Sequence, residues 1–99
     1  MSAISNETFA RLVQEYMPNQ YRLALGILHN RNDAEDAVSA SILKAYEKLH
    51  TLRKRERFQA WIMQITANEA KRIYAGNKRL SPVENMEDYM PSFRDEYHE

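Results

Sequence analysis

One face of a predicted helix carries the side chains of this sequence that are best suited to chemistry. At about 100° per residue, a helix over residues 58–79 has a polar strip formed by Gln64, Asn68, Lys71, Ala75 and Lys78. Amide groups can pair with base edges, and ammonium groups can pair with phosphates. A second stripe of the same helix is apolar and should anchor it: Phe58, Ile62, Ile65 and Ile73. The polar strip is therefore suited to lie along a nucleic-acid strand.

The formal net charge of zero conceals a strong segregation of charge along the chain. Residues 1–50 carry a net charge of −1, residues 51–80 carry +6, and residues 81–99 carry −5. A basic block of this density is the electrostatic footprint of a surface that binds phosphates. A single run of cations such as residues 53–57 is, however, also typical of a solvated charged face.

The composition argues against covalent catalysis and against a metal site. The sequence has no cysteine, and His29, His50 and His98 lie far apart in polar surroundings. We therefore expect no metal ion and no cofactor. No set of residues resembles a nucleophile with its base, and Glu35 and Asp36 are better explained as acids at the positive end of a helix dipole. These observations predict a protein that is not an enzyme.

Signals of membrane insertion and export are also missing from the sequence. No apolar run approaches the roughly 20 residues that a membrane-spanning helix needs. The first six residues lack a basic stretch followed by an apolar segment. The expected protein is soluble and cytoplasmic.

The chain is predicted to be helical almost from end to end, because it has only two glycines and no alternating strand pattern. We expect an all-α fold, a compact bundle of about four helices over residues 1–80. An acidic, partly flexible linker or tail should follow over residues 81–99. Ser5 or Asn6 can cap the first helix, and Pro18 should end it. A second helix is expected over about residues 19–29.

The third helix should begin at Asn32, which forms a variant of the capping box with Glu35, and should run to about Leu49. Its outward strip is formed by Asp36, Ser39, Ala40, Leu43 and Glu47. An exposed leucine flanked by carboxylates suits a docking surface for a partner helix, although single exposed leucines are equally often accidental. A basic loop over residues 50–57 leads to the last helix and could wrap a single strand.

Three fragments of the sequence occur in a specific order and spacing. They are Asp33-Ala34-Glu35-Asp36-Ala37-Val38, then Leu43-Lys44-Ala45-Tyr46, then Phe58-x-x-Trp61-Ile62-x-x-Ile65-x-x-Asn68. Together these fragments resemble region 2 of bacterial extracytoplasmic-function (ECF) sigma factors, a group of the sigma-70 family. The resemblance covers about residues 6–79, or four-fifths of the chain.

The resemblance implies a domain that binds core RNA polymerase and that recognises and helps to open the promoter −10 element. In that family the third helix docks on the clamp coiled coil of the polymerase β′ subunit. The implied docking residues are those of the outward strip: Asp36, Ser39, Ala40, Leu43 and Glu47. The implied contacts to the non-template DNA strand are Arg53, Arg55, Arg57, Gln64, Asn68 and Lys71, with Lys78 and Arg79 on the backbone. Family members are usually held inactive by an anti-sigma factor, which is a further implied partner.

Several departures from the family pattern bear on these expectations. The chain has Ser39-Ala40 where the family usually has Gln-Glu, which removes polar contacts from the docking face. The basic loop lacks the glycine that is common in the family. Only 19 residues follow Leu80, too few for the helix-turn-helix domain that recognises the −35 element. We expect an excised domain of a longer sigma factor, and the alternative is a naturally short sigma-like regulator.

A competing hypothesis comes from a different class of function. A helical protein-interaction module could use its basic face to bind an acidic protein partner and never contact DNA. This hypothesis explains the exposed Leu43 and the net charge of zero equally well. The two hypotheses differ at Asn68, because only a promoter reader should depend on that amide for sequence preference.

Overall fold

The structure, a computed structural model, describes residues 4–80, with the side chains of residues 4–77. Three α-helices form the fold: α1 (Asn6–Leu28), α2 (Arg31–Glu47) and α3 (Phe58–Leu80). Short 3₁₀ turns at Leu49–Thr51 and Arg55–Arg57 join α2 to α3, and no strand occurs within residues 4–80. The all-α prediction is confirmed. The predicted tail over residues 81–99 lies outside the described residues, so the division of the chain at residue 80 stays a prediction.

The first helix continues through Pro18, so the prediction that Pro18 ends it was wrong and the count of about four helices is not confirmed. A proline inside a helix removes one hydrogen bond and costs about 3 kcal/mol. Both halves of α1 bury side chains against the other two helices: Phe9, Val13, Gln20, Ala24, Ile27 and Leu28. Packing along one continuous face offsets the cost of the proline. The helix ends instead at Leu28 and is capped by His29, which adopts the left-handed conformation with φ 55°.

Side-chain caps fix the beginnings of α1 and α2. The Ser5 hydroxyl accepts a hydrogen bond of 3.2 Å from the Thr8 backbone N–H, which confirms one of the two predicted caps. The cap of α2 is Asn30, whose Oδ1 accepts a 2.8 Å bond from the Asp33 N–H, so the predicted cap at Asn32 was wrong. Only two residues separate α1 from α2, and the extended backbone of Asn30 leaves Asn32 inside the helix.

The apolar core consists of two clusters along the bundle. The first contains Ile4, Phe9, Val13, Ala45, Leu49, Leu52, Phe58 and Ile62. The second contains Ala24, Ile27, Leu28, Ala34, Ala37, Val38 and Ala70. In each helix, one fully buried polar residue lies between the residues of the first cluster and those of the second. These three residues, which we call the polar layer, are Gln20 of α1, Ser41 of α2 and Thr66 of α3.

Hydrogen bonds within the polar layer join all three helices. The Gln20 amide donates to the Ser41 hydroxyl at 3.0 Å and to the Thr66 hydroxyl at 2.9 Å. The Ser41 hydroxyl donates to the Val38 carbonyl, and the Thr66 hydroxyl donates to the Ile62 carbonyl, each at 2.8 Å. Buried polar groups are tolerated when they are paired, and among the described residues the Gln20 Oε1 atom is the one buried side-chain oxygen of this layer that has no hydrogen-bond partner.

Among residues 4–80, no helix combines the length and the apolar composition that crossing a membrane would require.

Candidate nucleic-acid interface

The polar strip of α3 is exposed where its side chains are described. Gln64, Asn68, Lys71 and Ala75 all lie on the surface, as the helical periodicity predicts. The Gln64 amide donates a 3.1 Å hydrogen bond to the Asn68 Oδ1 atom. Because the Asn68 oxygen accepts this bond, the Asn68 N–H donors are not used in pairing with Gln64. The side chains of Lys78 and Arg79 lie outside the described residues, so their contacts stay a prediction.

The basic loop is anchored to the core rather than loose. Leu52, in the middle of the loop, is 5% exposed and belongs to the first apolar cluster. Backbone bonds from Leu52 N–H to the Leu49 carbonyl and from Arg57 N–H to the Lys54 carbonyl close the two 3₁₀ turns. The three predicted cations of this loop remain on the surface: Arg53, Arg55 and Arg57. Anchoring holds their backbone beside the start of α3 without the glycine that the family pattern has.

A hollow of about 320 Å³ lies between α1 and the second 3₁₀ turn. It is lined by Leu12, Tyr16, Arg55, Glu56, Phe58 and Gln59. Its volume is at the lower end of the range of small-ligand pockets, about 300–1,000 Å³. The partly exposed ring of Tyr16 and three polar side chains, Arg55, Glu56 and Gln59, line this solvent-open space, whereas Phe58 is buried. Of these six residues, the sequence predicted only Arg55 as a site residue, because Tyr16 and Leu12 reach the hollow through tertiary packing.

A buried carboxylate on α3, the helix that carries the polar strip, forms an ion pair with α2. The Glu69 carboxylate is 5% exposed and contacts Lys44 Nζ at 3.3 Å and Arg72 Nη2 at 2.7 Å. The hydrogen bond from Arg72, followed by the one from Lys44, lowers the pKa of Glu69 below its usual value, although burial opposes this shift. In the sequence, Glu69 is one of two acids in the basic block over residues 51–80. The i, i+3 spacing could indicate its pairing with Arg72, but the burial of the carboxylate and its contact with Lys44 of α2 depend on tertiary packing.

The lowered pKa of Glu69 predicts a specific acid sensitivity. The unfolded chain binds this proton at a higher pH than the folded chain, so the ion pair stabilises the fold at neutral pH and this stabilisation is lost as pH falls. We expect Glu69→Gln to flatten the fall in the free energy of unfolding between about pH 5 and about pH 3. Urea unfolding at several pH values measures this effect. The exposed Glu15→Gln variant should keep the wild-type profile, and an unchanged profile in Glu69→Gln would contradict the prediction.

The outward strip of α2 presents an apolar centre to solvent. Leu43 is 61% exposed and Tyr46 is 50% exposed, while the other members of the strip are exposed except for the partly buried Ala40. The ring of Tyr46 packs on Phe9 at a centroid distance of 5.6 Å. The sequence predicted the exposure of Leu43, whereas Tyr46 was recorded only as part of a fragment. The predicted docking residues therefore lie on α2, and the predicted reading residues lie on α3 and the loop before it.

Comparisons with known proteins match most of the chain. The family model for Sigma-70 region 2 matches residues 12–80. The ECF RNA polymerase sigma-E factor of Haemophilus influenzae is 31% identical over 80 residues, which cover 81% of this chain and 42% of that protein. The chain therefore spans less than half the length of this curated relative. No solved structure matches the chain.

Proposed function

We propose that this chain, which belongs to the sigma-70 family through its region 2, acts as an ECF sigma factor domain that binds core RNA polymerase and recognises and helps to open the promoter −10 element. The observation that carries the proposal is the exposed Gln64–Asn68 amide pair next to the anchored basic loop. Amides can read base edges while cations hold phosphates. The proposed place of action is the cytoplasm, where polymerase and promoter meet.

Strand opening provides a physical role for the hollow beside the basic loop. A base that leaves the duplex loses its stacking, and an aromatic surface can replace it with a contact of about 1–3 kcal/mol. In this proposal, one base of the non-template strand enters the hollow against the partly exposed ring of Tyr16. The Arg55 guanidinium would then hold an adjacent phosphate. Binding the unstacked base favours the opened state of the promoter.

The proposed polymerase contact is the outward strip of α2. Interfaces place an apolar anchor at the centre and polar residues at the rim. Leu43 fits such an anchor, and Asp36 and Glu47 fit such a rim. The β′ clamp region is the proposed partner, and an anti-sigma factor that covers the same surface is a second proposed partner.

Fluorescence anisotropy with single-stranded oligonucleotides tests the DNA-reading proposal. The wild-type chain should prefer certain −10-like strands over a scrambled strand, at two salt concentrations. Asn68→Ala should reduce this preference by roughly 5- to 150-fold, because a lost base contact costs about 1–3 kcal/mol. Lys71→Ala should weaken binding to all strands alike. It should also lower the salt slope, which is the steepness with which the logarithm of the binding constant falls with the logarithm of salt concentration, by about 0.7, the value for one phosphate contact to a single strand.

The matched control is Asn19→Ala, because Asn19 is an exposed asparagine of α1. This variant should leave both the strand preference and the salt slope unchanged. Binding that is equal for all strands and disappears with salt would contradict the proposal. That result would favour the protein-interaction module with an acidic partner.

A further inference from the structure

Two cations from different helices converge on one buried carboxylate at the seam between α2 and α3. Lys44 of α2 contacts one oxygen of Glu69, and Arg72 of α3 contacts the other. The Glu69 side chain is 5% exposed, whereas Lys44 is 45% exposed and Arg72 is 69% exposed. The two cations therefore lie on the solvent side of the carboxylate, and an anion arriving from solvent would meet them first.

The Glu69 carboxylate positions both cations but pairs with only some of their N–H donors. Arg72 has five N–H donors and Lys44 has three, and the ion pairs with Glu69 involve one nitrogen of each. Exposure leaves other donors of both side chains available to an anion. Because the pairing already restricts the two long side chains, a bound anion has less side-chain entropy to remove. The three charges leave a net charge of +1 at the seam, which one phosphate would neutralise.

The seam is continuous with the amide pair on the polar strip. Arg72 follows Asn68 by four residues, so the two side chains are neighbours on the surface of α3. Lys44 then extends the positive surface across to α2. A strand whose bases contact Gln64 and Asn68 would bring a phosphate within reach of the seam.

We propose that Lys44 and Arg72, positioned by Glu69, form a phosphate-binding site for the backbone of the DNA strand that the amide pair reads. This inference rests on the proposed function and adds two contacts that the sequence did not predict. It also places α2 in contact with nucleic acid through Lys44, while the outward strip of the same helix remains available to polymerase.

The test measures the salt dependence of oligonucleotide binding by the full chain. Lys44→Gln and Arg72→Gln should each weaken binding to preferred and scrambled strands alike, and each should lower the salt slope by about 0.7. Lys44→Arg should retain the wild-type slope because it keeps the charge. The control is Arg22→Gln, which removes an exposed cation of α1 and should leave the slope unchanged.

Glu69→Gln separates a phosphate contact from a merely structural effect. This variant breaks the same ion pairs but keeps both cations, so its salt slope should be no lower than that of the wild type. If Glu69→Gln lowers the slope as much as Lys44→Gln does, the cations act only through the fold and the inference is overturned. Circular dichroism spectra and melting temperatures show that each variant is folded at the assay temperature.

The outcomes also distinguish this inference from the proposed function. Unchanged slopes in folded Lys44→Gln and Arg72→Gln, with a lost preference in Asn68→Ala, would overturn the phosphate site and leave the proposed function in place. A wild-type chain that binds no strand would overturn both.

Discussion

Replacing Phe58 with alanine should lower the free energy of unfolding by about 3–5 kcal/mol, the range for deleting a buried phenylalanine side chain. Phe58 is 1% exposed. Its ring packs against Phe9, Tyr16 and Trp61 at centroid distances of 6.0, 6.1 and 5.9 Å. A helical domain of this size has a total stability of roughly 4–12 kcal/mol, so this single change should leave a substantial unfolded population.

Urea unfolding monitored by circular dichroism measures this loss. Phe58→Leu should cost less, because leucine keeps part of the buried apolar volume. The neighbouring Gln59 is exposed, and Gln59→Ala should change the free energy of unfolding by no more than about 0.5 kcal/mol. A loss below about 1 kcal/mol in Phe58→Ala would contradict the central role of this ring. Since Phe58 is the first residue of α3, the same variant should also loosen the basic turn before it.

Gln20→Ala should cost about 2–3 kcal/mol, for two reasons that act together. The change leaves a cavity between three helices, and it removes the hydrogen bonds that Gln20 donates to Ser41 and Thr66. The two hydroxyls still donate to carbonyls of their own helices, so neither is left without an acceptor. This retained pairing limits the penalty for the lost bonds.

Two comparison variants show how much of this loss comes from volume. Gln20→Met fills most of the cavity without the hydrogen bonds, and we expect it to destabilise the chain less than Gln20→Ala does. The exposed Gln14, on the same helix, should tolerate alanine with a change within about 0.5 kcal/mol. Thermal and urea unfolding provide the values. A Gln20→Ala variant as stable as Gln14→Ala would rule out a structural role for the polar layer.

Helical faces could be predicted from the sequence because they follow from local periodicity. In the apolar stripe of α3, Phe58 and Ile62 are buried and Ile65 and Ile73 are partly buried. The amides of Gln64 and Asn68 are on the surface. The exposure of Leu43 follows from the same reasoning on α2. These assignments need only the angle per residue and the contrast between apolar and polar side chains.

Features that depend on contacts between helices were not predictable in this way. Pro18 breaks an isolated helix, yet packing on both of its sides retains the helix here. The cap of α2 lies at Asn30 because only two residues, His29 and Asn30, separate α1 from α2, and this position depends on where α1 ends. Glu69 pairs with Arg72 at an i, i+3 spacing that the sequence can indicate, but its second partner, Lys44, comes from α2. Tyr16 meets the other residues of the hollow only through tertiary packing.

The polar layer also fixes the axial alignment of the three helices. Apolar contacts are not directional, so a helix that slid along its neighbours by one turn, about 5.4 Å, could exchange one set of apolar contacts for another. Such a slip of α1 would bring Tyr16 or Ala24 opposite Ser41 and Thr66 in place of Gln20. Neither side chain reproduces the amide that donates to both hydroxyls. The polar layer thus selects one alignment of the three helices. This alignment also sets the position of the amide pair relative to the outward strip of α2.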